Sequence, residues 1–91
     1  MKKLIIITGK VQGVGFRYWL CKTAMQRNID GWVKNKISGE VEALIIGKEE
    51  DVIDMIKICE KGPSLSLVNK VKIGEYKGEY LRKSFDIIKT D

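Results

Sequence analysis

The sequence predicts an α+β sandwich of order βαββαβ, an antiparallel sheet with two helices on one face. Three observations carry that expectation: apolar runs that alternate with period two, two segments whose period lengthens to that of a helix, and glycine or proline punctuation between them. The 91 residues suffice for one domain, which at this size withdraws roughly 60–65% of its unfolded surface from water. A single domain over residues 1–91 is therefore expected. The hydrophobic fraction of 44% is too high for a disordered chain, and no apolar run approaches the ~20 residues that span a bilayer.

Lys3–Thr8 is a β-branched run of buried-strand type that ends in the glycine-punctuated segment Gly9–Gly15. From Phe16 to about Asn28 the period changes. Steps of 100° gather Phe16, Leu20, Ala24, Cys21, Met25 and Tyr18 on one broad arc, opposite Lys22, Thr23 and Gln26, which describes an amphipathic helix with Trp19 as its exception. Gly31–Ile37 then alternates, with Val33, Asn35 and Ile37 sharing a side. The two residues Ser38-Gly39 separate it from a second alternating run, Glu40–Ile46, the pattern of a two-residue hairpin.

A second helix is expected from about Glu49 to Lys61. Glu49, Glu50 and Asp51 occupy its first turn, Val52, Ile56 and Cys59 stand at core spacing, and Lys61-Gly62-Pro63 marks its stop. Val68–Ile73 alternates again, and Phe85 and Ile87 form a last strand beyond the polar connection Gly74–Lys83. A split βαβ pair in this order folds most simply as a four-stranded antiparallel sheet with both helices on one face, the ferredoxin-like arrangement. Fold by itself assigns no function.

Composition removes several chemistries. With no histidine in the chain, serine–histidine and cysteine–histidine nucleophiles, histidine-based zinc sites and imidazole acid–base catalysis are excluded. Cys21 and Cys59 lie far apart without C-x-x-C spacing, so no thiol-redox or metal-chaperone loop is present, and both are expected to pack in helix cores. The net charge is +5, and it lies wholly in residues 1–45, where eight basic residues face three acidic ones; residues 46–91 carry nine of each. That asymmetry invites an anionic partner, although a solvated surface explains it equally. The start, Met1–Lys3 followed by Leu4–Ile7, is too short for a signal-peptide core and has no cleavage site, so a cytoplasmic location is expected.

Two places could carry chemistry. Gly9-Lys10-Val11-Gln12-Gly13-Val14-Gly15-Phe16-Arg17 lies where a strand gives way to a helix. A helix start presents free N–H groups and about half a positive charge, glycines let the backbone curl around an anion, and Arg17 adds a fork of donors that matches phosphate oxygens. Neither the dinucleotide G-x-G-x-x-G pattern nor a Walker loop fits, since Tyr18 stands where the former needs glycine. On the residues alone, an anion cradle and a plain glycine-rich turn remain equal alternatives. Asn35 is a lone amide between Val33 and Ile37. A buried amide costs about 1–3 kcal/mol if unbonded, so it needs either a water or ligand oxygen or, more simply, the backbone of the hairpin.

The segment Ile7–Arg17 resembles the first signature of the acylphosphatases, and Gly31-Trp32-Val33-Lys34-Asn35, Gly39, Val41 and Gly47 fall at the spacings of the second. Ser38 stands where an aspartate is common, and a single proline, Pro63, follows Gly62 where two are often seen. The resemblance implies a small ferredoxin-like hydrolase that splits acyl phosphates without metal or cofactor. It implies phosphate binding by Arg17 and by the loop Gly13, Val14, Gly15 and Phe16, and orientation of the attacking water by Asn35. The implied partners are a small-molecule acyl phosphate and inorganic phosphate, the latter as product and competitive inhibitor, with no membrane or nucleic acid and with the chain acting as a monomer. The rival reading is a nucleic-acid-binding module, since sheets of this kind can display aromatics to single strands; against it, only Trp32 is suitably placed.

Overall fold

The computed structural model describes residues 1–91. Seven elements follow one another: β1 (Lys2–Lys10), α1 (Phe16–Gln26), β2 (Asp30–Asn35), β3 (Val41–Ile46), α2 (Glu49–Lys61), β4 (Leu67–Glu75) and β5 (Phe85–Ile87). The sheet order is β4-β1-β3-β2-β5. Strands β1 to β4 pair antiparallel, with Ile5 opposite Ala43 and Val33 opposite the same residue from the other side. One sheet face contributes Ile5, Ile7, Val33, Val41, Ala43 and Ile45 to the core. The helices bring Phe16, Leu20 and Ala24 from α1 and Val52, Met55, Ile56 and Cys59 from α2, all buried. Each large apolar side chain withdrawn there contributes about 1.5–3 kcal/mol, which is what holds both helices to that face.

The fifth strand departs from a purely antiparallel sheet: β5 lies parallel to β2, with Gly31 beside Phe85 and Val33 beside Ile87. Its direction is a consequence of topology. Strand β4 ends beside the start of β1, Glu75 opposite Lys3, and β2 runs in the same sense as β1 because both pair antiparallel with β3. A chain that crosses the end of the sheet from β4 therefore reaches the free edge of β2 at its beginning and can only run alongside it. The crossing is pinned by the Tyr80 hydroxyl, which donates to the Gly31 carbonyl at 3.0 Å, and by the Ser84 hydroxyl, which donates to Asp86 at 2.8 Å.

Three local expectations are corrected. The hairpin between β2 and β3 is longer than two residues: Asn35 pairs with Val41, the Lys36 N–H donates to Glu40 at 2.8 Å, and the Gly39 N–H donates back to Lys36 at 3.0 Å. Ile37 therefore sits in the turn, 86% exposed, and Gly39 at φ 102° closes it. That is a three-residue loop whose last position needs the backbone freedom of glycine. The apolar arc of α1 is also narrower than its sequence. Phe16, Leu20 and Ala24 are buried, but Tyr18 and Met25 are 69% and 66% exposed. Trp19, the apparent exception, packs edge-on against Phe16 with ring centroids 5.3 Å apart. The buried face is thus centred on Leu20, with Trp19 on one flank and the half-buried Cys21 on the other. Helix α1 ends at Gln26 rather than near Asn28, because Asn28 adopts φ 58° and the Ile29 N–H reaches back to the Ala24 carbonyl at 3.0 Å, a Schellman ending.

Candidate active site

The site forms where β1 hands the chain to α1. Val11 is buried and anchors the far end of β1 in the core, so the residues between it and Phe16 must turn back over the sheet. Gly13 and Gly15 take φ 75° and 77°, and a Cβ at either would meet nothing within 4 Å. Their backbone therefore needs the left-handed conformation, and the space beside it is open. Gly15 is the N-cap of α1 and supplies no side-chain cap, and the first turn of α1 holds no acidic residue. Helix α2 is built oppositely, with Glu49, Glu50 and Asp51 in its first turn. The positive end of the α1 dipole is left without an internal anion, while that of α2 is compensated.

A cavity of about 230 Å³ opens at this helix start. Gln12, Gly13, Gly15, Phe16 and Arg17 line it from the loop and α1, Asn35 from β2 and Ile87 from β5; no carboxylate lines it. Arg17 and Asn35, distant in sequence, thus share one cavity. Val14 does not line it: its side chain packs against the core. Arg17 lies in the first turn of α1, half-buried, and takes part in none of the five ion pairs of the protein. The Oδ1 atom of Asn35 is the one buried side-chain oxygen or nitrogen in the protein without a hydrogen-bond partner. Asn35 shares the parity of Val33, so its side chain faces the helix side of the sheet, and the backbone bond that offered the simpler account of it is absent.

Gln12 is the residue whose part the sequence did not disclose. Its Nε2 donates to the Lys36 and Glu40 carbonyls, each at 2.8 Å, and so ties the loop before α1 to the hairpin that follows Asn35. The chain beyond β5 continues the tie on the other side. Ile88 N–H donates to Val33 at 2.9 Å, Asp91 N–H to Asn35 at 3.2 Å, and Ile37 N–H to Asp91 at 2.7 Å. Asp91 also receives Lys34 Nζ at 2.8 Å; that bond holds Lys34 above its ordinary range and Asp91 below its own. On the open face of the sheet, Lys34 Nζ stands 5.1 Å over the Trp32 ring, which covers one face of the only aromatic on β1, β2 or β3.

The acylphosphatase family model matches residues 3–87. An acylphosphatase of Rhodopseudomonas palustris strain BisB5 is 45% identical over 71 residues, covering 78% of this chain and 72% of that protein. One of Geotalea uraniireducens is 39% identical over 82 residues, 88% of this chain and 90% of the other. Among solved structures, the acylphosphatase from Bacillus subtilis superposes with a TM-score of 0.91 at 34% identity, covering 97% of this chain and 98% of its own. Fold and sequence define an α+β enzyme of ferredoxin-like architecture. The chain belongs to the acylphosphatase family. No helix in it is long and apolar enough to cross a membrane.

Proposed function

We propose that this protein hydrolyses acyl phosphates to a carboxylate and inorganic phosphate, using Arg17 and the backbone amides of Gly13–Arg17 to hold the phosphoryl group and Asn35 to orient the attacking water, with neither metal nor cofactor. The observation that carries the reading is the pairing of two unsatisfied groups in one cavity: a guanidinium with no carboxylate partner and a buried amide oxygen with no donor. An anion supplies what the first lacks, and a water O–H supplies what the second lacks. The family membership of the chain supports the reaction class.

The chemistry suits these residues. Attack forms a bond from the water oxygen to phosphorus and breaks the bond from phosphorus to the carboxyl oxygen, whose electron pair leaves with the carboxylate. The conjugate acid of that leaving group has a pKa of about 4, so it departs without a proton and no general acid is required. A loose transition state asks little deprotonation of water at the outset, and its proton passes to a phosphoryl oxygen, giving dihydrogen phosphate and carboxylate with charge balanced. Positioning and charge stabilisation then supply most of the acceleration, which is work for N–H donors and an amide rather than for histidine. In this reading residues 1–91 act as one acylphosphatase-like domain, a cytoplasmic monomer, and inorganic phosphate competes with substrate for the cradle.

Hydrolysis of benzoyl phosphate followed in the presence of a chelator, with inorganic phosphate titrated in, tests the proposal. Steady turnover with competitive inhibition is expected. A protein that binds phosphate and releases none from an acyl phosphate would be an anion sensor instead, and the proposal would fail.

A further inference from the structure

Helix α1 carries more apolar surface than its packing uses. Beside its buried face, on the flank that Cys21 occupies, Tyr18, Cys21 and Met25 follow at i, i+3 and i+7 and form a second stripe, with Tyr18 and Met25 largely exposed. Ile87 of β5, 44% exposed, faces the same space. Together with Lys22 and Gln26 these residues line a groove of about 440 Å³. The Cys21 Sγ donates to the Phe85 carbonyl at 3.4 Å and so fastens the groove floor to β5. Tyr18 and Ile87 line both this groove and the Arg17–Asn35 cavity, whereas Asn35 lines only the cavity. The two spaces therefore share Tyr18 and Ile87 as a common rim, and the residue assigned to the water belongs to the cavity alone.

Resting on the reaction proposed above, we infer that the groove of Tyr18, Cys21, Met25 and Ile87 receives the acyl group of the substrate and selects apolar acyl groups of about benzoyl size over acetyl. The occupant follows from connectivity. The acyl group is bonded to the phosphoryl group, so a phosphoryl held at the helix start must send its acyl group out over the rim. Water attacks phosphorus opposite the leaving oxygen, which places the acyl group away from Asn35 and toward the side that carries the groove. An acetyl group ends near the rim; an aromatic ring continues onto the stripe and covers apolar surface that water otherwise wets. Differences of one ring or a few methylenes in such a site translate into roughly tenfold to hundredfold discrimination.

The test compares benzoyl with acetyl in two ways: kcat/KM for the two acyl phosphates, and Kd for benzoylphosphonate and acetylphosphonate, which cannot be hydrolysed. Met25 is 66% exposed, so its replacement leaves the fold intact. In both measurements the benzoyl-to-acetyl preference is expected to fall about tenfold in Met25→Asp and to return in Met25→Leu. A preference equal in the parent and both variants overturns the inference. So does a preference for succinyl phosphate over benzoyl phosphate that disappears in Lys22→Ala, which would assign the groove to a charged tail. A parent that discriminates between the phosphonates but hydrolyses neither acyl phosphate keeps the groove and loses the reaction, so the two readings fail separately.

Discussion

Gln12 and Glu40, 28 positions apart, are joined by a 2.8 Å hydrogen bond from the Gln12 amide to the Glu40 carbonyl. With its second bond to Lys36, that one side chain sets the distance between the loop that precedes α1 and the hairpin that follows Asn35. Each carbonyl keeps a backbone donor, the Gly39 N–H on Lys36 and the Lys36 N–H on Glu40, so losing the two Gln12 bonds costs about 0.5–1.5 kcal/mol apiece. Gln12→Leu is expected to lower stability by that order, seen in the denaturant midpoint. Turnover should fall further than phosphate affinity, because Asn35, the residue proposed to hold the water, moves relative to the loop while the loop itself persists. Equal losses in kcat and in phosphate binding would show that Gln12 shapes the cradle alone.

Arg17 and Asn35 should fail differently. Arg17→Gln removes a charged donor aimed into the cavity, with an expected loss of about 3–4 kcal/mol in transition-state stabilisation and a weaker inhibition constant for inorganic phosphate. Asn35→Ala is expected to lower kcat while that inhibition constant stays close to the parent value. An Asn35→Ala variant as active as the parent would end the water-holding role.

Burial pushes the Cys59 thiol up to about 12, with Glu60 adding to it, and burial followed by Asp86 raises Cys21. A raised value in the folded state stabilises below the unfolded value, near 9.0 for a thiol, and that stability is lost as pH rises toward the folded one. Thermal unfolding midpoints are therefore expected to hold steady up to about pH 9 and to decline above it. Replacing Cys59 with Ala should flatten that decline even though the cavity lowers the midpoint at neutral pH. Iodoacetamide at pH 7.5 is expected to modify neither thiol quickly, since the thiolate is the reactive form, and mass spectrometry should find Cys21 labelled before the fully buried Cys59.

The Lys34–Asp91 pair governs how firmly residues 88–91 lie along β2. Asp91, lowered by its bond from Lys34, contributes stability above its usual 3.8 and loses it as pH falls through the lower folded value. Lys34, raised by the same bond, contributes below 10.5 and loses its share as pH rises past it. The tail should stay docked between those limits. Amide exchange at Ile37, which donates to the Asp91 carbonyl at 2.7 Å, is expected to quicken in acid relative to the intrinsic rate, and in Asp91→Asn it should already be quickened at pH 6. Unchanged protection in that variant would mean that the backbone bonds alone hold the tail.

Much of this protein is written in local pattern. A β-branched run sets β1, period-two runs set β2 to β4, helical period with an acidic first turn and a Gly-Pro stop set α2 at Glu49–Lys61, and glycines just before Arg17 mark the strand-to-helix turn, because each of these depends on neighbours within a few residues. Tertiary structure decided what depends on partners far along the chain. Which half of the α1 arc is buried follows from how the helix lies on the sheet, with Phe16, Leu20 and Ala24 against its core face. The parallel sense of β5 follows from the end of the sheet at which β4 stops. The place of Ile37 in a turn follows from the bonds between Lys36 and Glu40. Above all, a lone asparagine in an alternating strand has no local reason to lack a partner. Only the packing of β2 beneath the start of α1, held by Gln12, leaves the Asn35 oxygen buried and without a partner in the cavity that Arg17 also lines, since burial and hydrogen bonding are properties of surroundings rather than of residues.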